Sequence, residues 1–240
     1  MSRKLIAVAL TTCALVACGG GGGGGGESSG PGIAEGSWIG TSEGDDVSVV
    51  VLDDGQVWGL VADGPYAYAL FNAPSSSTSG DQFKLNNPRF YEFGAGSPVS
   101  GSIGATVTQT TMNGKAVANG QTSTFNLTRE AGYNQAVTTA ALAGTWTGSV
   151  GSLDGVDSIT ATVSANGTFT AFVGSCTIQG SLVPRGSVAV YTLVAQYQQS
   201  SGCPVNYQLK GIAVPGGSNR LLLGAILPDR SDASLVILNK

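Results

Sequence analysis

The chain predicts an all-β protein of two tandem antiparallel up-and-down meander modules, each of about eight short strands closing into a small barrel. Three observations carry this expectation. Apolar and polar residues alternate with period two through much of the chain beyond residue 35, tight-turn dipeptides separate the alternating runs, and one phrase occurs twice. Its copies are Gly36-Ser37-Trp38-Ile39-Gly40-Thr41 and Gly144-Thr145-Trp146-Thr147-Gly148-Ser149, each opening a segment of nearly the same length. One pseudo-twofold barrel or sandwich drawing strands from both halves is the alternative, because alternation does not say which strands close on which.

After each phrase comes a strand, a turn and a second strand. In the first half these are 47–52, the turn Asp53-Asp54-Gly55, and 56–62; in the second they are 158–164, Ala165-Asn166-Gly167, and 168–173. Asp-Gly and Asn-Gly supply the positive φ that short hairpin loops demand. Within 158–164, Ile159, Ala161 and Val163 point to one face, and Ser158, Thr160, Thr162 and Ser164 to the other. Further runs at 177–183, 188–198, 205–214, 220–227 and 234–238, with the opening 145–149, complete the second module. The first is noisier, with weak candidates at 82–85 and 112–118 and a loose serine loop at 75–79. The expected boundaries are 35–130 for the first module and 144–240 for the second, joined by a linker at 131–143 whose residues 134–143 have the composition of a short helix.

The N-terminal segment gives an address. Arg3 and Lys4 precede an apolar run too short to span a bilayer, which ends in small residues; this is a secretory signal over residues 1–17. Its last residues, Leu15-Val16-Ala17-Cys18, resemble the lipobox of bacterial lipoproteins. The resemblance implies that Cys18 receives diacylglycerol on sulfur, becomes the new N-terminus and carries further acyl chains such as palmitate. At roughly 0.8 kcal/mol per buried methylene, such an anchor is stable. In that family an aspartate after the cysteine commonly retains the protein in the inner membrane; Gly19 stands there instead, so the implied destination is the outer membrane. Residues 18–34 then form a tether, with glycine unbroken from 19 to 26, too poor in apolar surface to fold. The glycine run is similar to the tethers of neisserial surface lipoproteins of the factor H binding and transferrin-binding types, which implies β-barrel modules presented at the cell surface. A plain spacer facing the periplasm is the other reading.

Cysteine usage agrees with export. Cys13 lies in the signal and Cys18 at the anchor, which leaves Cys176 and Cys203 to form a disulfide. Closing a loop of that size contributes about 3 to 4 kcal/mol in the chain-entropy picture.

The repeated glycine-tryptophan phrase is similar to the first signature of lipocalins and other calycins. That resemblance implies a Trp on the first strand that plugs the barrel floor and stacks on a cation from a late strand. Arg220 occupies a suitable late strand for Trp146, whereas Trp38 has Lys115 or Arg129.

Composition narrows the chemistry. Formal net charge is -4, and removal of Arg3 and Lys4 makes it about -6, which argues against nucleic acid and anionic lipid headgroups as partners. The chain has no His, and with it go the commonest general base, the usual zinc ligand and the Ser-His-Asp triad. Glu43, Asp45, Asp46, Asp53, Asp54 and Asp63 crowd the first half, but mostly at turns that favour Asp for local reasons, and none follows the spacing of a calcium loop. No cofactor is expected. Aromatics offer the remaining lead: Tyr66 and Tyr68 fall on one face of a strand with Phe71 on the other, and Phe90 and Tyr91 follow, so that Tyr66, Tyr68, Phe90 and Tyr91 are candidates for partner binding.

The expected function is a non-enzymatic, lipid-anchored binding protein of the outer membrane, presenting tandem β modules to a protein or glycan, at the cell surface or on the periplasmic face. A calycin-like carrier of a small apolar ligand and a periplasmic inhibitor or immunity lipoprotein are the alternatives.

Overall fold

The computed structural model describes residues 30–198, 202–203, 207–217 and 219–240. Cys18 and the glycine run lie outside the described residues. No helix among these residues is long and apolar enough to cross a membrane.

Two closed antiparallel barrels account for the described residues. The first uses β1 (Gly36–Ser42), β2 (Asp45–Val51), β3 (Val57–Asp63), β4 (Tyr66–Ala73), β7 (Arg89–Glu92), β8 (Val99–Val107), β9 (Thr111–Ala118) and β10 (Gln121–Arg129), with β10 returning to β1. A hairpin of β5 (Ser75–Ser79) and β6 (Gln82–Asn86) is inserted after β4. The long β8 is shared: Ser100 and Val99 pair with β7, while residues 104–106 pair with β6. The second barrel is a plain meander of β11 (Gly144–Ser152), β12 (Gly155–Val163), β13 (Thr168–Val173), β14 (Cys176–Pro184), β15 (Tyr191–Tyr197), β16 (Gln208–Pro215), β17 (Arg220–Ile226) and β18 (Ala233–Asn239), closed by β18 on β11.

Residues 75–79 are thus a strand and not the loose serine loop that composition suggested. Ser76 and Thr78 are its inward residues, and both are buried because their hydroxyls are satisfied, Ser76 Oγ by the carbonyl of Gly55 and Thr78 Oγ1 by that of Pro31. Paired with β6, whose Phe83 and Leu85 reach the core, the hairpin completes the wall where β7 stops. The linker also differs from expectation: residues 134–143 contain only a single 3₁₀ turn, Thr139–Leu142.

The repeated phrase has one structural job in both barrels. A 3₁₀ turn precedes each first strand, and the indole N–H of Trp38 donates to the carbonyl of Ala34 at 2.8 Å, as that of Trp146 does to Leu142 at 2.7 Å. Each Trp floors its barrel under a cation at the end of the last strand or just past it: Arg129 over Trp38 and Lys240 over Trp146. The expected partner Arg220 does not fill this place; it sits opposite Asn239, exposed, and Lys240 beyond it reaches the ring. The first glycine of each phrase makes room for the cation. A Cβ at Gly36 would lie 2.3 Å from the Arg129 guanidinium, one at Gly144 2.9 Å from Lys240 Cε, and both glycines have positive φ. The second glycine lets first and last strands meet, since a Cβ at Gly40 would lie 2.0 Å from Asn126 O and one at Gly148 1.8 Å from Ile237 O.

The barrels lie side by side, floors together. Their contact is a third apolar cluster in which Leu52, Trp58, Leu70 and Tyr91 of the first meet Leu153, Ile212 and Leu235 of the second, with Val190 and Tyr133. At the floor end Arg185 forms ion pairs with Asp53 and Asp54. At the other end the N–H groups of Gly94 and Gly96 donate to the carbonyls of Ser152 and Leu153. Between these, Arg230 donates to Asn72 O at 2.8 Å, and its own carbonyl accepts from Arg89 at 2.6 Å and from the Tyr91 hydroxyl at 3.1 Å.

Candidate functional site

The two barrels differ in how much interior they leave free. The second barrel turns in Ile159, Leu182, Leu193, Leu209, Phe169 and Tyr197 beside Ala161, Ala171, Ala195 and Ala225, and retains only about 60 Å³ of free interior. The first barrel turns inward Val47, Val49, Val57, Val61 and Ala116 beside larger groups. Its interior is a cavity of about 350 Å³, within the usual range of small-molecule sites.

Trp38 floors this barrel, beneath the residues that line the cavity. At the other end lie the β1–β2, β3–β4 and β9–β10 turns, and every polar lining residue belongs there: Ser42, Glu43, Asp45, Tyr68, Gln121 and Ser123. Below that rim the wall is apolar, with Phe71, Phe83, Leu85, Phe90, Ile103, Met112, Phe125 and Leu127 adding to the valines and alanines. Gly59 in β3 accommodates Phe71, whose ring lies 1.9 Å from where a Cβ would be, and the Phe71 and Phe90 rings meet at 5.8 Å between centroids.

Rim residues are held by specific bonds. Glu43 has a φ of 52°, a conformation costly for a residue with a side chain, and its Oε1 accepts from both the N–H and the hydroxyl of Thr124, each at 2.8 Å. Those two bonds hold its carboxyl below the usual carboxylate range. Tyr68 donates its hydroxyl to Asp45 Oδ2. Burial, that hydrogen bond and the charges of Asp45, Glu92 and Asp63 push the phenol up to about 12.

The aromatic candidates separate into different environments. Tyr66 is 77% exposed at the mouth end. Strict alternation would have put Tyr68 on its face and Phe71 opposite, but Ala69 pairs with Val61 and Ala67 with Ala62, so Tyr68 is an extra residue in β4. This bulge turns Tyr68 into the cavity that Phe71 also lines. Phe90 lines it too. Tyr91 is fully buried between the barrels and is not available as an exposed contact; burial raises its phenol pKa. Cys176 and Cys203 form the disulfide, joining the start of β14 to the segment before β16. Among the described residues no group of three or more His, Cys, Asp or Glu is placed to hold a metal ion.

Sequence reasoning missed Glu43, Asp45 and Gln121 as a rim. The missed signal was positional: each flanks a hairpin turn at the end of the barrel opposite Trp38.

No protein-family model matches the chain, and no curated protein does. Among solved structures it is similar to a protein of unknown function of the DUF3598 family from Nostoc punctiforme, at 14% identity over 86% of this chain and 94% of that one, with a TM-score of 0.31. It is also similar to isotype 1 transferrin binding protein B from serogroup B Neisseria meningitidis, at 9% identity, 82% and 52% coverage and a TM-score of 0.31. Transferrin binding protein B from Haemophilus parasuis matches at 9% identity, 82% and 65% coverage and a TM-score of 0.26. The chain thus spans about half to two thirds of the length of these two transferrin binding proteins.

Proposed function

We propose that this chain is a non-enzymatic binding lipoprotein, anchored through Cys18 in the outer membrane, whose first barrel takes up a small, largely apolar ligand. The observation that carries this reading is the contrast between two barrels of one design, one with about 350 Å³ of apolar interior and the other with about 60 Å³. The second barrel braces the first through their shared apolar contact. Titration with the neutral fluorophore N-phenyl-1-naphthylamine tests the site. Saturable binding by the wild type that disappears in Ala116→Phe, without loss of thermal stability, is expected. Binding unchanged in that variant would refute the cavity as the site.

Exposure of Tyr66 favours a second reading, in which a protein or glycan docks at the mouth end. Tyr66→Ala then weakens partner capture while leaving fluorophore binding intact. Radiolabelled palmitate incorporated by wild type and not by Cys18→Ser tests the anchor, and protease treatment of intact cells separates a surface location from a periplasmic one.

A further inference from the structure

We infer that the ligand of the first barrel is an amphiphile with a cationic head, its tail in the apolar barrel and its head at the rim. This rests on the reading of that barrel as the binding site and adds the charge of what it binds.

Polarity in the cavity is segregated by depth. The lower wall offers no hydrogen-bonding side chain, so a ligand filling it presents a hydrocarbon or aromatic surface there. The rim carries Glu43 and Asp45, and no Lys or Arg lines the cavity. Asp63 and Glu92 stand close enough to act on the Tyr68 phenol, extending the negative field around the mouth. A fatty acid or other anionic amphiphile would bring its head against this field. A cationic head gains from it.

Both lining carboxylates are fixed by one oxygen and leave the other unpaired. Thr124 takes Oε1 of Glu43, and Tyr68 takes Oδ2 of Asp45. Oε2 of Glu43 and Oδ1 of Asp45 remain as acceptors on groups already oriented, so an arriving head pays little ordering entropy for them. Glu43 and Gly44 take the positive φ that the two-residue turn between β1 and β2 requires, which fixes the backbone from which this carboxylate projects. Tyr68 lines the cavity beside these acceptors, and an aromatic ring there attracts quaternary and primary ammonium groups alike.

The test compares three probes with the same tail: decyltrimethylammonium, decanol and decanoate, measured by calorimetry on the full mature chain at low and at physiological salt. The expected order is cation, then alcohol, then anion, with the cation advantage shrinking as salt rises. The double variant Glu43→Gln/Asp45→Asn is expected to lower affinity for the cation by about tenfold while leaving decanol unchanged. Decanoate binding as tightly as the cation, or a double variant without effect on the order, would overturn the charge assignment while leaving the cavity as the site. Failure of all three to bind would overturn the cavity reading and the inference with it.

Discussion

The guanidinium carbon of Arg129 lies 4.1 Å from the centre of the Trp38 ring, directly across the seam where the last strand of the first barrel meets the first. Its side chain also donates to three carbonyls, those of Gln109, Glu35 and Ile33. One side chain therefore joins the barrel floor, the seam and the 3₁₀ turn ahead of β1. Lys240 repeats the ring contact at 5.3 Å but donates to one carbonyl, that of Ala143.

Arg129→Ala is expected to cost about 2 to 3 kcal/mol in urea unfolding, from the lost ring contact and charge-assisted hydrogen bonds. Lys240→Ala is expected to cost about 1 kcal/mol or less, since its end of the chain is more exposed. Arg129→Lys should recover only part of the loss, because an ammonium lacks the planar fork that spans three carbonyls.

Seam glycines make a sharper test. Gly40→Ala or Gly148→Ala places a methyl against a backbone carbonyl, and each is expected to destabilise by more than about 3 kcal/mol or to prevent folding. Gly104→Ala is the control: its nearest neighbour would be Phe83 O at 3.8 Å, and its stability should change by less than about 1 kcal/mol in either direction. Circular dichroism on heating the three variants distinguishes them.

The disulfide closes a separation of 27 residues in the second barrel. Replacing Cys176 and Cys203 by Ser should lower stability by about 3 kcal/mol while leaving the first barrel's ligand binding intact. Calorimetric unfolding with and without reductant reads the first effect, and fluorophore titration the second.

Acid should loosen the floor end of the contact between barrels. Arg185's hydrogen bonds hold the Asp53 carboxyl below its ordinary value. A depressed carboxylate pKa means that its stabilising effect is complete above the unfolded value of about 3.9 and is lost as pH falls through the folded one. Asp53→Asn is therefore expected to lower the melting temperature modestly at neutral pH and to make the fall below about pH 4 shallower by the same amount. An acid limb identical to that of the wild type would assign the loss to other carboxylates.

Much of the fold is written in local signals. Trp38 and Trp146 announce two floors, and the Asp53-Asp54-Gly55 and Asn166-Gly167 turns announce the hairpins above them. What failed depends on partners distant in sequence. Ser76 and Thr78 read as loop because the carbonyls that let them be buried, at Gly55 and Pro31, lie 21 and 47 residues away. Lys240 was overlooked for Arg220 because which late strand faces Trp146 depends on how the barrel closes. Tyr68 was set on the wrong face by a single extra residue opposite Val61 and Ala62. The difference between a hollow and a filled barrel is not legible in the size of the inward residues, since both interiors mix Val and Ala with Leu, Ile and Phe, and depends on how the strands close.

The placement of Pro31 gives the molecule a direction. Thr78 holds Pro31 by its carbonyl, and Ala34 caps the Trp38 indole, so the chain joins the first barrel at its closed end. The cavity opens at the opposite end. If Cys18 is the anchor proposed above, its load falls on the floor and not on the rim. The doorway of the first barrel and the point where residue 30 enters it lie at opposite ends, with the full height of the β wall between them.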